Sequence, residues 1–210
     1  MKFATKLGDR WEVSEVDYSR TGNIGKFTCI AVGDDDRPQI VYYDVGKMNL
    51  KYAKMNGSNW DIEVIDAGNG FDVGQYASIT LEANFNPYVS YYDVTNSSLK
   101  FAKKTSLSWE VETVNNDGDI GKFTSIKLDG PRNPSICCYD ATMKRLKLFS
   151  WTGAKWNIYS IDASPDTGTD CSLEIDRESK WHISYRDNRN LSLKYASSRS
   201  LKPYQIITTK

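Results

Sequence analysis

The run Tyr88-Val89-Ser90-Tyr91-Tyr92-Asp93, followed by Leu99-Lys100-Phe101-Ala102 and then Trp109, decides the architecture, because the chain repeats it with changed details. The shared acid recurs as Asp44, Asp93, Asp140 and Asp187, at spacings of 49, 47 and 47 (93−44, 140−93, 187−140). The tryptophan recurs as Trp11, Trp60, Trp109 and Trp156, at 49, 49 and 47. Self-similarity at this period marks an array of one small unit. Each unit holds four short runs rich in β-branched and aromatic residues, bounded by Gly, Pro, Asn, Asp or Ser, which is the signature of strands. No stretch places apolar residues at helical spacing over a useful length.

Working outward from that run, the strands are named b, c, d and a in chain order. Strand b carries Ile30, Ile79, Ile126 and Leu173, each after a small residue (Cys29, Ser78, Ser125, Ser172). Strand c carries Ile40, Val89, Ile136 and Ile183 and ends in the shared Asp, strand d begins Leu-Lys, and strand a opens on the tryptophan. Four antiparallel strands per unit with a recurring large aromatic predict an all-β β-propeller of four-stranded blades. The repeats run approximately over 11–59, 60–108, 109–155 and 156–202 of a single domain spanning 1–210. The small residues place strand b innermost, where blades crowd together, and Trp places strand a outermost. Lys2-Phe3-Ala4 and Trp11-Glu12-Val13 form an additional d–a pair, so the chain holds four copies of b and c but five of d and a. A four-bladed ring closed by the terminal strands is the first expectation. The second is a five-bladed ring whose incomplete blade another chain completes, making a homo-oligomer through the terminal strands.

Lys+Arg and Asp+Glu balance at 27 each, so no whole-chain field draws the protein to nucleic acid or to an anionic membrane. The start, Met1-Lys2-Phe3-Ala4-Thr5-Lys6, has no long apolar run of the kind found in a signal peptide or membrane span. Cys29, Cys137, Cys138 and Cys171 fall in columns otherwise held by Ser, Val, Thr, Ala or Tyr and lack C-x-x-C spacing, so they read as core residues rather than as a disulfide framework or zinc site. A cytoplasmic protein is the expectation, with a fragment of a larger extracellular protein as the alternative.

Strand direction places the a-to-b connections and c-to-d turns on one face, and both are acidic. Asp44, Asp93, Asp140 and Asp187 start the c-to-d turns and are read as turn acids that accept backbone amides. Asn23, Asp72, Asp119 and Asp166 stand two residues before Gly25, Gly74, Gly121 and Gly168 and lie nearer the axis. With Tyr43, Tyr92 and Tyr139 they are the candidate ligand-binding set, suited to sugar hydroxyls and, more weakly, to Ca²⁺. Arg186 joins them because it replaces the tyrosine of that column, where it could clamp a carboxylate or phosphate. The same last copy carries Trp181 in a proline column and His182, the sole histidine. No Ser-His-Asp arrangement with a G-x-S-x-G elbow is present, and no carboxylate pair is singled out by spacing.

Ser78-Ile79, Val89-Ser90-Tyr91-Tyr92-Asp93, Leu99-Lys100-Phe101-Ala102 and Trp109 together resemble the repeats of bacterial and archaeal β-propeller proteins labelled sialidase-like. The resemblance covers nearly the whole chain and implies the blade fold. It implies no sialidase activity, because the S-x-D-x-G-x-x-W Asp-box and an arginine triad are both absent. The function expected is non-catalytic, lectin-like binding of glycans, with a glycan or protein partner and no cofactor. An interaction or self-assembling scaffold comes second, and a glycan-cleaving enzyme third.

Overall fold

The computed structural model describes residues 1–20, 22–130, 132–199 and 202–208. A two-stranded sheet of β1 (Lys2–Leu7) and β2 (Arg10–Glu15) is followed by four blades. Blade 1 comprises β3 (Ile24–Val32), β4 (Pro38–Asp44), β5 (Asn49–Asn56) and β6 (Asn59–Asp66). Blade 2 comprises β7 (Val73–Leu81), β8 (Pro87–Asp93), β9 (Ser98–Lys104) and β10 (Trp109–Asn115). Blade 3 comprises β11 (Ile120–Asp129), β12 (Asn133–Asp140), β13 (Arg145–Trp151) and β14 (Trp156–Asp162). Blade 4 comprises β15 (Thr167–Ile175), β16 (Trp181–Asp187), β17 (Ser192–Arg199) and β18 (Lys202–Thr208). Every pairing is antiparallel, and each blade is a meander in the order b, c, d, a.

The b strands β3, β7, β11 and β15 lie side by side in that order at the inner edge. The c strands β4 and β8 are buried along their whole length, because both faces are covered by neighbouring blades. Blades dock through a repeated close approach. A Cβ on Gly74, Gly121 or Gly168 would lie 2.7, 2.8 or 2.7 Å from Leu50, Leu99 or Leu146 of the preceding blade, and each glycine has a left-handed φ above +100°. Only Gly meets both demands. The outer strands add an edge-on contact between a tryptophan and the d-strand aromatic one blade back. Trp60 meets Phe3 at 5.3 Å, Trp109 meets Tyr52 at 5.2 Å and Trp156 meets Phe101 at 5.6 Å.

The surplus hairpin occupies the outer half of a blade preceding blade 1. Met1 approaches Gly25 as Leu50 approaches Gly74, and Phe3 receives Trp60. The terminal strands do not share a sheet: β1 pairs with β2, and β18 pairs with β17. The row of blades is therefore open among the described residues. Ile30 is 50% exposed where Ile79 is 5%, and Leu193 is 64% exposed where Leu50, Leu99 and Leu146 are fully buried.

Candidate functional site

The acids and tyrosines expected to bind ligand are brought together, but across blade junctions and in pairs. Tyr43 donates to Asp72 (2.7 Å), Tyr92 to Asp119 (2.7 Å) and Tyr139 to Asp166 (2.9 Å), each tyrosine reaching the next blade. Asp119 also meets Lys122 at 2.5 Å, and Asp166 accepts from Asn188 at 3.3 Å. Burial, then the hydrogen bond to the facing acid, pushes Tyr43 and Tyr139 up to about 12. These hydrogen bonds strap each blade to the next. Asn23 and Arg186, the two ends of the series, belong to opposite ends of the row and are exposed. Arg186 lines a 320 Å³ depression with Asp170, Tyr185, Leu191, Ser192 and Leu193.

A second series, deeper in the junctions, joins Asp17, Asp66 and Asp162 to a tyrosine and a lysine of the blade that follows. Tyr42 and Lys51 reach Asp17 at 2.6 and 2.5 Å, and Tyr91 and Lys100 reach Asp66 at 2.7 Å each. Tyr185 and Lys194 reach Asp162 at 3.0 Å each. Burial raises the cost of each charge, but these hydrogen bonds, preceded at Asp162 by those from Ser164, outweigh it and hold the three carboxyls below the usual range. At the junction entering blade 3 the acid is Asn115 and the tyrosine is Cys138, so both members of the clip change together.

The turn acids each accept the amide three residues on: Lys47 to Asp44 (3.1 Å), Asn96 to Asp93 (2.9 Å), Met143 to Asp140 (2.8 Å) and Asn190 to Asp187 (2.9 Å). Asp187 is also 3.0 Å from Lys194. Its burial is outweighed by Asn190 and Lys194, and its carboxyl is held down to about 2. No group of three or more His, Cys, Asp or Glu able to hold a metal occurs among the described residues. Among the described residues no helix is long and apolar enough to cross a membrane.

A further concavity lies elsewhere, on the face where strands b join c and strands d join a. It is a 480 Å³ cleft between blades 2 and 3, bounded by Tyr88, Phe101, Trp151 and Trp156 and by Glu110, Glu112 and Lys103. Trp151 and Trp156 tilt against each other at 5.4 Å, and the Trp156 indole donates to Glu112 at 2.9 Å. Lys103 pairs with Glu110 at 2.9 Å, and that hydrogen bond raises the lysine. Arg132 meets Glu82 at 3.1 Å on the rim.

The same place in the neighbouring junctions is filled. Between blades 1 and 2, Lys104 stands where Trp151 would be; it pairs with Glu63 and sits 5.4 Å from the Trp109 ring. Between blades 3 and 4, Trp181 packs on Tyr159 at 5.5 Å and donates to Ser135 at 3.2 Å. Among the described residues, substitutions in the repeat thus leave this junction open between two that are filled. Trp151 and Glu112 are not among the residues the repeat singles out; the signal in the sequence is the variable column Met55, Lys104, Trp151 and Ser198 at the end of strand d, which carries a large aromatic in one copy. His182 contributes to no part of this cleft: it bonds Tyr195 at 2.5 Å and Asp176 at 3.1 Å within blade 4.

No protein-family model and no curated protein matches the sequence. Solved structures do match by shape. The fucose-specific lectin from Aleuria aurantia aligns with a TM-score of 0.61 and 16% identity over 96% of this chain and 67% of its own. A triple arginine-to-alanine variant of AofleA from Arthrobotrys oligospora gives 0.67 and 16% over 100% of this chain and 64% of its own. The GH93 α-L-arabinofuranosidase of Fusarium graminearum gives 0.64 and 9% over 92% and 69%. The chain thus spans about two thirds of the length of these neighbours. What it has in common with lectin and hydrolase alike is the fold, an all-β propeller of four-stranded antiparallel blades.

Proposed function

We propose that this propeller binds glycans without cleaving them, through the cleft between blades 2 and 3. The observation that carries the reading is the Trp151–Trp156 pair standing beside Glu110 and Glu112 in a 480 Å³ cleft that Lys104 and Trp181 fill at the adjacent junctions. Sugar rings present C–H faces that stack on aromatic rings and hydroxyls that need paired acceptors and donors. Trp151 and Tyr88 supply the apolar walls, Glu110 and Glu112 accept hydroxyl protons, and Lys103 donates. The cleft's charges balance, which favours neutral sugars over uronic or sialic acids. Shape neighbours that include a fucose-specific lectin and an arabinofuranosidase support a glycan-related role.

A glycan array read by direct binding, followed by titration of tryptophan fluorescence with the best ligand, tests this. Trp151→Ala is expected to weaken binding about tenfold, the equivalent of roughly 1.4 kcal/mol, while Arg186→Ala leaves it unchanged. Equal loss in both variants, or binding untouched by Trp151→Ala, would move the site away from the cleft. A second reading, cleavage, rests on the two glutamates sharing the cleft; release of reducing ends from the bound glycan would establish it and abolish the non-catalytic reading.

A further inference from the structure

Cys137 on β12 and Cys171 on β15 face each other across the junction of blades 3 and 4, with their sulfurs 2.8 Å apart. Cys137 is fully buried and Cys171 is 8% exposed. The repeat shows what this pair replaces. One junction earlier the same two columns hold Ser90 and Thr124, whose hydroxyl oxygens are also 2.8 Å apart. Ser90 donates to Thr124, and Thr124 donates to the carbonyl of Tyr76 at 2.7 Å. Cys137 donates to Cys171 in the same way, and Cys171 reaches the carbonyl of Phe123 at 3.0 Å. At the junction before those, the two columns hold Val41 and Ala77, an apolar pair in one core cluster. The chain therefore builds one contact three ways: apolar on apolar, hydroxyl on hydroxyl and thiol on thiol.

Only the third version can become covalent. We propose that Cys137 and Cys171 form a reversible disulfide that ties blade 3 to blade 4. The sulfurs need to approach by about 0.8 Å to reach bonding distance, a shift within reach of two strands joined by side-chain contacts alone. In the reaction each thiol gives up its proton, and one electron pair passes from the two sulfurs to a low-molecular-weight disulfide, which leaves as two thiols. Oxidation removes the hydrogen bond to the Phe123 carbonyl. The Val41–Ala77 junction shows that the fold accommodates this position with no donor at all. Burial slows the exchange, because a small oxidant reaches the sulfurs only when the junction opens. Cys138, the next residue, is buried in a separate apolar cluster. Cys29 lies near Ser78, two junctions away.

The test uses the full chain carrying Cys138→Ala, so that the peptide containing Cys137 has a single thiol. The folded protein is incubated with oxidised glutathione in mild denaturant, quenched with an alkylating agent, digested and mapped by mass. The expected result is one intramolecular link between Cys137 and Cys171, the loss of two hydrogens, and a Tm raised on the order of 10 °C, since the bond closes a loop of 34 residues. The double variant Cys137→Ser with Cys171→Thr copies the Ser90–Thr124 contact. It is expected to keep the reduced protein's Tm and to show no response to oxidant. Persistence of both thiols under conditions that oxidise the unfolded chain, or a link through Cys29 or between chains, would overturn the proposal.

Discussion

Single side chains here act mainly across junctions. The Tyr91 hydroxyl donates to an ionised Asp66 that also holds Lys100, so Tyr91→Phe leaves a charge short of one partner. Such a loss costs roughly 1.5–3 kcal/mol, read as a lower urea midpoint with unchanged slope. The same logic gives a pH profile. Asp17, Asp66, Asp162 and Asp187 all have depressed carboxyl pKa values. Their stabilisation is complete above the unfolded value of about 4 and drains as pH falls toward 2, the value to which Asp187 is held. Tyr43 and Tyr139 are raised to about 12, so their contribution is intact below about pH 10 and is lost as pH rises through 12. Denaturant midpoints measured from pH 2 to 12 should fall at both ends. Asp187→Asn should make the acid limb shallower, because one of the four depressed carboxyls is gone.

At the scale of the strand, each b strand carries a bulge whose bulged residue has left-handed φ: Phe27 (52°), Tyr76 (54°), Phe123 (55°) and Asp170 (53°). A bulky aromatic is strained in that region by about 1–2 kcal/mol. The strain is offset by ring contacts, since Phe27, Tyr76 and Phe123 pack in sequence with tilted rings at 4.6 and 4.7 Å. Asp170 has no such ring. Asp170→Gly should therefore stabilise by up to about 1 kcal/mol, whereas Tyr76→Gly should destabilise by about 2 kcal/mol, as thermal unfolding would reveal. The docking glycines behave differently. Gly121→Ala forces a Cβ to 2.8 Å from the Leu99 backbone and should cost roughly 3 kcal/mol or more. Gly57→Ala, with open space around a φ of +64°, should cost about 1 kcal/mol.

For the molecule as a whole, the exposed apolar side chains near the two ends of the row are what a solution measurement would probe. Trp11, Ile30, Val32, Leu191 and Leu193 are exposed at the two ends of the row. Large apolar side chains left exposed to water favour association. Leu193→Lys and Ile30→Lys should raise solubility and lower the concentration dependence of the light-scattering mass, with Tm unchanged. Leu146→Lys, the same column under a covering blade, should abolish folding.

The repeat made the blade, its four strands, their order and the inner and outer positions legible from residues alone, because strand period, turn residues and the 47–49-residue spacing are local properties. The extra d–a pair was legible for the same reason. What the candidate acids do was not. Asp72 and Tyr43 lie 29 residues apart, and their pairing depends on how one blade is rotated against the next. The same rotation joins Tyr43, Tyr92 and Tyr139 to acids of the next blade, leaves a cleft beside Trp151, and sets Cys137 against Cys171. Sequence determines what each blade is; the packing angle between blades decides which side chains meet, and so where this protein has surface left to bind.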